Sequence, residues 1–173
     1  PMGGEKLNGL LSARSGSLFG IINGIDYGVY NPRTDDSLYE KFDGRSVLSK
    51  KKINKMRLQE QLSLPVDGEK AMIGIVSRLV DQKGFDIIAE AMSDLMSMDI
   101  QLVVLGTGDA KYENLFRQNA WYHPEKVSAN IMFSNDMAHK IYGAADLFLM
   151  PSKSEPCGLS QMIAMRYGTV PIV

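Results

Sequence analysis

From Ala71 onward, short continuous apolar runs alternate with longer amphipathic stretches. The runs are AMIGIVS (Ala71–Ser77), IQLVVLG (Ile100–Gly106), SANIMFS (Ser128–Ser134), DLFLMPS (Asp146–Ser152) and TVPIV (Thr169–Val173). Runs of this length, rich in branched residues, read as strands buried on both faces. Between the first two, GFDIIAEAMSDLMSM sets Phe85, Ile88, Ala89, Met92 and Leu95 on one helical face. DAKYENLFRQNAWYH, DMAHKIYGAA and GLSQMIAMRYG read as the helices that follow. Alternation of this kind predicts a Rossmann-like parallel α/β sheet with helices on both faces and right-handed crossovers.

The first 65 residues break the pattern. They are rich in Gly, Ser and Asn, with turn signals in INGIDYGVYNPRTDD (Ile22–Asp36). LSKKKINKMRLQEQLSL (Leu48–Leu64) reads as a helix packed by one face through Ile53, Met56, Leu58 and Leu62, ended by Pro65. The chain thus divides into a lead-in segment with a linker helix (1–65) and an α/β domain (66–173). Its start at Pro1 and its stop inside an apolar run predict a piece cut at both ends, with the sheet truncated at the C-terminus.

Composition narrows the class. With 173 residues, 45% hydrophobic and 23% charged, the chain has the makeup of one globular domain with an appendage. Nineteen basic and twenty acidic residues leave a net charge of -1, which gives no support to nucleic-acid binding. No apolar run reaches transmembrane length, so no membrane partner is expected. The single cysteine, Cys157, excludes an intrachain disulfide framework and fits a reducing compartment.

In open α/β sheets, ligands bind at the carboxyl ends of the strands, and four such junctions carry distinctive sequence. SRLVDQKGFD brings Arg78 and Lys83 into one loop ahead of a helix. Two cations at a helix N-terminus suit a polyphosphate, although a solvated basic loop has the same composition. LGTGDA offers Gly106 and Gly108, which would let a ligand approach the backbone. It lacks the third glycine of the dinucleotide fingerprint, so a plain tight turn is the better reading. In MFSNDMAHKIYG, Phe133 is an aromatic for core or nucleobase, and Asp136 reads as a helix N-cap. His139 has no second ligand at metal spacing, so no metal is expected. In SEPCGLSQ, Glu155 stands before a helix start with Pro156 placed to open it and Gly158 freeing amides for a ligand. That helix end would also activate the Cys157 thiol, but no partner histidine is near in sequence, which favours a structural cysteine.

Together SRLVDQKGFD, LGTGD and PSKSEPCGLSQMIAMRYGTVPIV resemble the bacterial glycogen synthase and plant starch synthase family. LLSARSGSLFGIINGIDYGVYNPRTD resembles the segment leading into the C-terminal domain of those enzymes, so the likeness covers nearly the whole chain. The resemblance implies part of the C-terminal domain of a GT-B retaining glycosyltransferase, with an ADP-glucose donor, an α-1,4-glucan acceptor and no cofactor. Arg78 and Lys83 then match the basic pair on the donor diphosphate, and Glu155 matches the carboxylate that contacts the transferred glucose. The amides of Cys157, Gly158 and Leu159 match the sugar- and phosphate-facing turn. Asn23 matches an asparagine reaching toward the donor, Gly106 belongs to the donor loop, and Phe133 occupies the place of an aromatic that stacks on adenine.

One departure is informative. Many transferases of this architecture carry a second glutamate eight positions after the first, and Ile163 stands there. Glycogen synthases also lack that glutamate, so the departure favours this family over the wider group and leaves ribose recognition to other residues. The resemblance further implies a cytoplasmic enzyme, or a plastid one in a plant. It also implies that a missing N-terminal domain is required for activity and that this piece alone is inactive. Another nucleotide-sugar transferase of the same fold, or a non-catalytic nucleotide- or glucan-binding module, are the alternatives.

Overall fold

A computed structural model describes residues 6–173. The elements are α1 (Asn8–Ala13), α2 (Val47–Gln61), β1 (Ala71–Val76), α3 (Phe85–Ser97), β2 (Ile100–Leu105), α4 (Ala110–Tyr122), β3 (Val127–Asn130), α5 (Asn135–Ala144), β4 (Leu147–Leu149), α6 (Leu159–Arg166) and β5 (Val170–Ile172). The five strands are all parallel in the order β3-β2-β1-β4-β5. The chain builds outward from β1 to β3 on one side, then returns to add β4 and β5 on the other. The reversal falls between β1 and β4, which is where a doubly wound sheet opens a crevice.

The period of two along the strands sorts the core. Ile73 and Ile75 of β1, with Leu102 and Val104 of β2, face Phe85, Ile88 and Met92 of α3 and Tyr112 and Phe116 of α4. Their neighbours Met72, Val103 and Leu105 face the opposite way, onto Met137, Ile141 and Ala144 of α5. Leu38 and Phe42 of the lead-in pack with Phe148, Ile163, Ala164 and Tyr167 in a third cluster.

Helix α2 departs from its expected apolar face. Its buried residues are Lys51, Asn54, Lys55, Leu58 and Gln59, whereas Ile53 and Met56 are only half-buried. The reason lies in what α2 covers. Lys51 Nζ donates to the carbonyls of Tyr142 (3.0 Å) and Gly143 (3.3 Å) near the end of α5 and to Thr169 Oγ1 (2.6 Å). Lys55 Nζ lies 2.7 Å from Asp146 Oδ2 and donates to the carbonyls of Gly68 and Lys70. A helix end and a loop full of unpaired carbonyls need donors, and a buried apolar stripe would have left them unsatisfied.

Three local expectations also shift. The N-cap of α5 is Ser134, whose hydroxyl accepts from the Met137 amide; Asp136 sits in the first turn and pairs with Lys140. Helix α6 begins at Leu159 with Gly158 as its N-cap, so Pro156 precedes the helix rather than opening it. Strand β3 ends at Asn130, which leaves Phe133 in the following loop and 86% exposed, outside the core.

Candidate active site

Two loops from adjacent strands meet at the carboxyl edge of the sheet. The β1–α3 loop carries Arg78 and Lys83, and the β4–α6 loop carries Glu155. Backbone and side-chain bonds stitch them together. The Lys153 amide donates to Gln82 O at 3.0 Å, Gln82 Nε2 donates to Ser154 O at 3.3 Å, and Lys153 pairs with Asp86. Gly84 makes this approach possible. It has φ 74°, and a Cβ there would stand 1.8 Å from Pro151 O.

The result is a Lys83–Glu155 ion pair, Nζ to Oε2 2.5 Å, with both side chains mostly buried. The other carboxylate oxygen, Oε1, accepts from the Gly158 amide at 3.3 Å, and the Ser152 hydroxyl lies 3.4 Å from Oε2. The Lys83 hydrogen bond holds the Glu155 carboxyl below its usual range, against the opposing effect of burial. Glu155 is therefore ionised and fixed in orientation. Beside it, Gly158 has φ 76° and leads into α6, whose N-terminus has no side-chain cap. The first amides of α6 thus remain free to receive an anion.

Next to this pair lies a cleft of about 350 Å³. Arg78, Gly106 and Thr107 line one side, Met132 and Phe133 close one end, and His139, Leu159, Ser160 and Ile163 form the α5–α6 wall. Two hollows of about 470 Å³ lie elsewhere, one around Arg33 and Arg166 and one around Lys51 and Lys55. They are larger, but neither borders the carboxyl ends of β1 and β2, where the charged groups and free helix amides converge.

Arg78, Gly106, Phe133 and Leu159 thus share the cleft, while Lys83, Glu155 and Gly158 form the bonded cluster at its side. Gly106, with φ 155°, sits so close to the Ser77 carbonyl that a Cβ would lie 1.8 Å from it. Cys157 is half-buried, and its thiol donates to the Asn23 carbonyl at 3.6 Å. Asn23 therefore meets the β4–α6 loop through its backbone, with the residue itself exposed. Among the described residues, no group of three or more His, Cys, Asp and Glu is placed to hold a metal ion. No helix among them is long and apolar enough to cross a membrane.

Sequence reasoning missed one cluster on the cleft wall. His139 Nδ1 lies 2.7 Å from Asp35 Oδ2, and the Tyr167 hydroxyl donates to the same oxygen. Tyr30 stacks on the His139 ring at 5.1 Å and 22°. Burial, followed by the hydrogen bond to Asp35, raises the Tyr167 phenol well above its usual range, so it stays a donor. Nothing local in the sequence signals these contacts.

A doubly wound parallel sheet with a cleft at its switch point, and an acid–base pair on that cleft's rim, has the form of a Rossmann-like domain of a GT-B glycosyltransferase. The chain belongs to the glycosyl transferases group 1 family, whose model matches residues 57–173. It is 59% identical over 173 residues to the glycogen synthase of Clostridium acetobutylicum, covering 100% of this chain and 36% of that protein. It is 56% identical over 170 residues to the glycogen synthase of Thermotoga petrophila, covering 98% and 35%. The catalytic domain of starch synthase IV from Arabidopsis thaliana, solved bound to ADP and acarbose, matches with a TM-score of 0.89 at 36% identity, over 98% of this chain and 35% of that one. Anabaena Alr3699/HepE, in complex with UDP and glucose, shares the fold at a TM-score of 0.57 and 22% identity, over 88% of this chain and 37% of that one. The chain therefore spans about a third of the length of the curated relatives it matches.

Proposed function

We propose that this chain forms the donor side of a glycogen (starch) synthase, which transfers glucose from ADP-glucose to the non-reducing end of an α-1,4-glucan with retention of configuration. The observation that carries this reading is the Lys83–Glu155 pair, held against the free amides of α6 beside a cleft able to take a nucleotide. The identity to two glycogen synthases supports the choice of substrates.

Each residue then has a role that follows from its chemistry. Departure of ADP builds negative charge on the diphosphate, and Arg78 and Lys83 stabilise that charge more than they stabilise the bound donor. Amides of Cys157 and Leu159 add donors from the helix start, while the Gly158 amide holds Glu155 in place beside them. Glu155, already ionised and anchored, accepts hydroxyls of the transferred glucose and fixes its orientation. Phe133 offers an exposed face for adenine, and Gly106 keeps the cleft wall clear of side chain. Asn23 borders the glucose end through its contact with the Cys157 loop. The acceptor groups and the opposite cleft wall are supplied from beyond residues 1–173, so this segment alone binds donor nucleotide without elongating glucan. The enzyme works in the cytoplasm, or in the plastid of a plant.

The test is transfer by the full-length protein that carries this segment. With glycogen as acceptor, ADP-glucose should be consumed in preference to UDP-glucose, and the new linkages should be α by NMR. Preference for UDP-glucose would remove the donor assignment. Unchanged activity on Lys83→Ala would leave only a non-catalytic binding module.

A further inference from the structure

We propose that His139 hydrogen-bonds the ribose of the donor nucleotide, with Asp35 and Tyr167 as the residues that position it. The assignment rests on the donor reading above and names the sugar contact within that site. A nucleoside diphosphate with its base on Phe133 and its phosphates near Arg78 and the α6 amides must lay its ribose along the α5–α6 wall. At that wall α6 presents Ile163, which cannot hydrogen-bond. A diol moved out of water into the cleft needs a polar partner.

Six polar side chains line that wall: Ser134 and Asn135 at the start of α5, where Ser134 is engaged as the helix cap and Asn135 faces solvent, and Tyr30, His139, Tyr142 and Ser160 further along. Tyr142 is buried, and burial pushes the pKa of its phenol up to about 12, with the neighbouring Ser160 side chain opposing the shift. Tyr30 lies flat against the His139 ring. His139 differs in being aimed. Its side chain is 13% exposed, and Asp35, 5% exposed at its side chain, fixes one ring nitrogen. An ionised carboxylate only accepts, so Nδ1 carries the hydrogen in that bond. Tyr167 donates to the same Asp35 oxygen and locks the carboxylate in turn. The free position is Nε2, which has no hydrogen-bond partner among the described residues. Nε2 is an acceptor in the neutral ring and a donor in the protonated one. A hydroxyl can answer either state, which makes a ribose hydroxyl a fitting ligand.

The experiment measures dissociation constants of ADP, 2′-deoxy-ADP and 3′-deoxy-ADP by calorimetry on the full-length protein. Wild type should bind at least one deoxy analogue roughly five- to tenfold more weakly than ADP, the size of one hydrogen bond. His139→Ala should bind ADP more weakly by a similar factor and lose the discrimination. His139→Gln should recover part of it, and Asp35→Asn should fall between wild type and His139→Ala. Discrimination retained in His139→Ala, or absent in wild type, overturns the assignment. Should His139→Ala not fold, the wild-type ratio and His139→Gln decide: no wild-type ratio, or a ratio untouched by Gln, overturns it equally. No ADP binding by wild type would overturn the donor reading and this contact together, whereas ADP binding with unaltered discrimination overturns the contact alone.

Discussion

Lys83 Nζ and Glu155 Oε2 are 2.5 Å apart although 72 residues separate them in the chain. The pair joins the loop after β1 to the loop after β4 across the switch point of the sheet. On the proposed donor reading, removing the lysine would take one fixed cation from the diphosphate and leave Glu155 unpaired beside the glucose. We expect Lys83→Ala to lower kcat by about 10²–10³, the usual cost of one preorganised electrostatic group. Circular dichroism should show the fold retained, because the Lys153–Gln82, Gln82–Ser154 and Lys153–Asp86 contacts still hold this region together. An activity within threefold of wild type would contradict the role given to this pair.

Gly84→Ala tests how those loops are brought together. Its φ of 74° is strained for alanine, and the new methyl carbon would stand 1.8 Å from the Pro151 carbonyl oxygen. Backbone on both sides leaves nothing flexible to give way. The expected loss is roughly 2–4 kcal/mol of stability, or a displaced β4–α6 loop with activity lost at unchanged stability. Urea unfolding together with a transfer assay distinguishes the two. A variant with wild-type midpoint and rate would show that the loops do not need this close approach.

Much of this was legible because the relevant signals are local. Apolar runs of β1 and β2 and the 3.6-residue stripe of Phe85, Ile88 and Met92 specify their own elements. Arg78, Lys83 and Glu155 stood out because they follow strands in a fold whose ligands sit at strand ends. Non-local demands were not legible. The buried face of α2 is polar because it answers carbonyls of α5 and of residues 68 and 70. Asp35 reaches His139 across 104 positions, and Tyr167 stands 28 beyond it, so no window of sequence holds the cluster. Phe133 was open between core and ligand, and its 86% exposure decides against the core.

That exposure gives Phe133→Ala a clean signature. A core aromatic would cost stability on truncation, whereas an exposed one at the end of the cleft should cost binding alone. Losing a stacked base contact of about 1–3 kcal/mol should weaken ADP binding roughly five- to hundredfold. The melting temperature without nucleotide should move by less than about 2 °C, as for most surface substitutions. Equal affinity for ADP in the variant would place the base elsewhere in the cleft.

Lys51 provides the pH-dependent prediction. Burial lowers its pKa from 10.5 to about 7, with Asp146 opposing the shift and Lys55 adding to it. Below pH 7 the ammonium is present in both folded and unfolded chains, so the linkage contributes no slope there. Between about pH 7 and 10.5 the unfolded chain holds a proton that the folded one has released. Stability contributed at this position therefore rises with pH through that window. In Lys51→Met this pH-dependent contribution disappears together with the bonds to Tyr142, Gly143 and Thr169. The variant should be less stable than wild type at about pH 9.5, and by a wider margin there than at about pH 6, the two margins differing by on the order of 2–3 kcal/mol. Urea midpoints of both proteins at the two pH values measure this directly. A margin that stays constant, or narrows toward alkaline pH, would mean that the three acceptors hold Lys51 charged despite its burial.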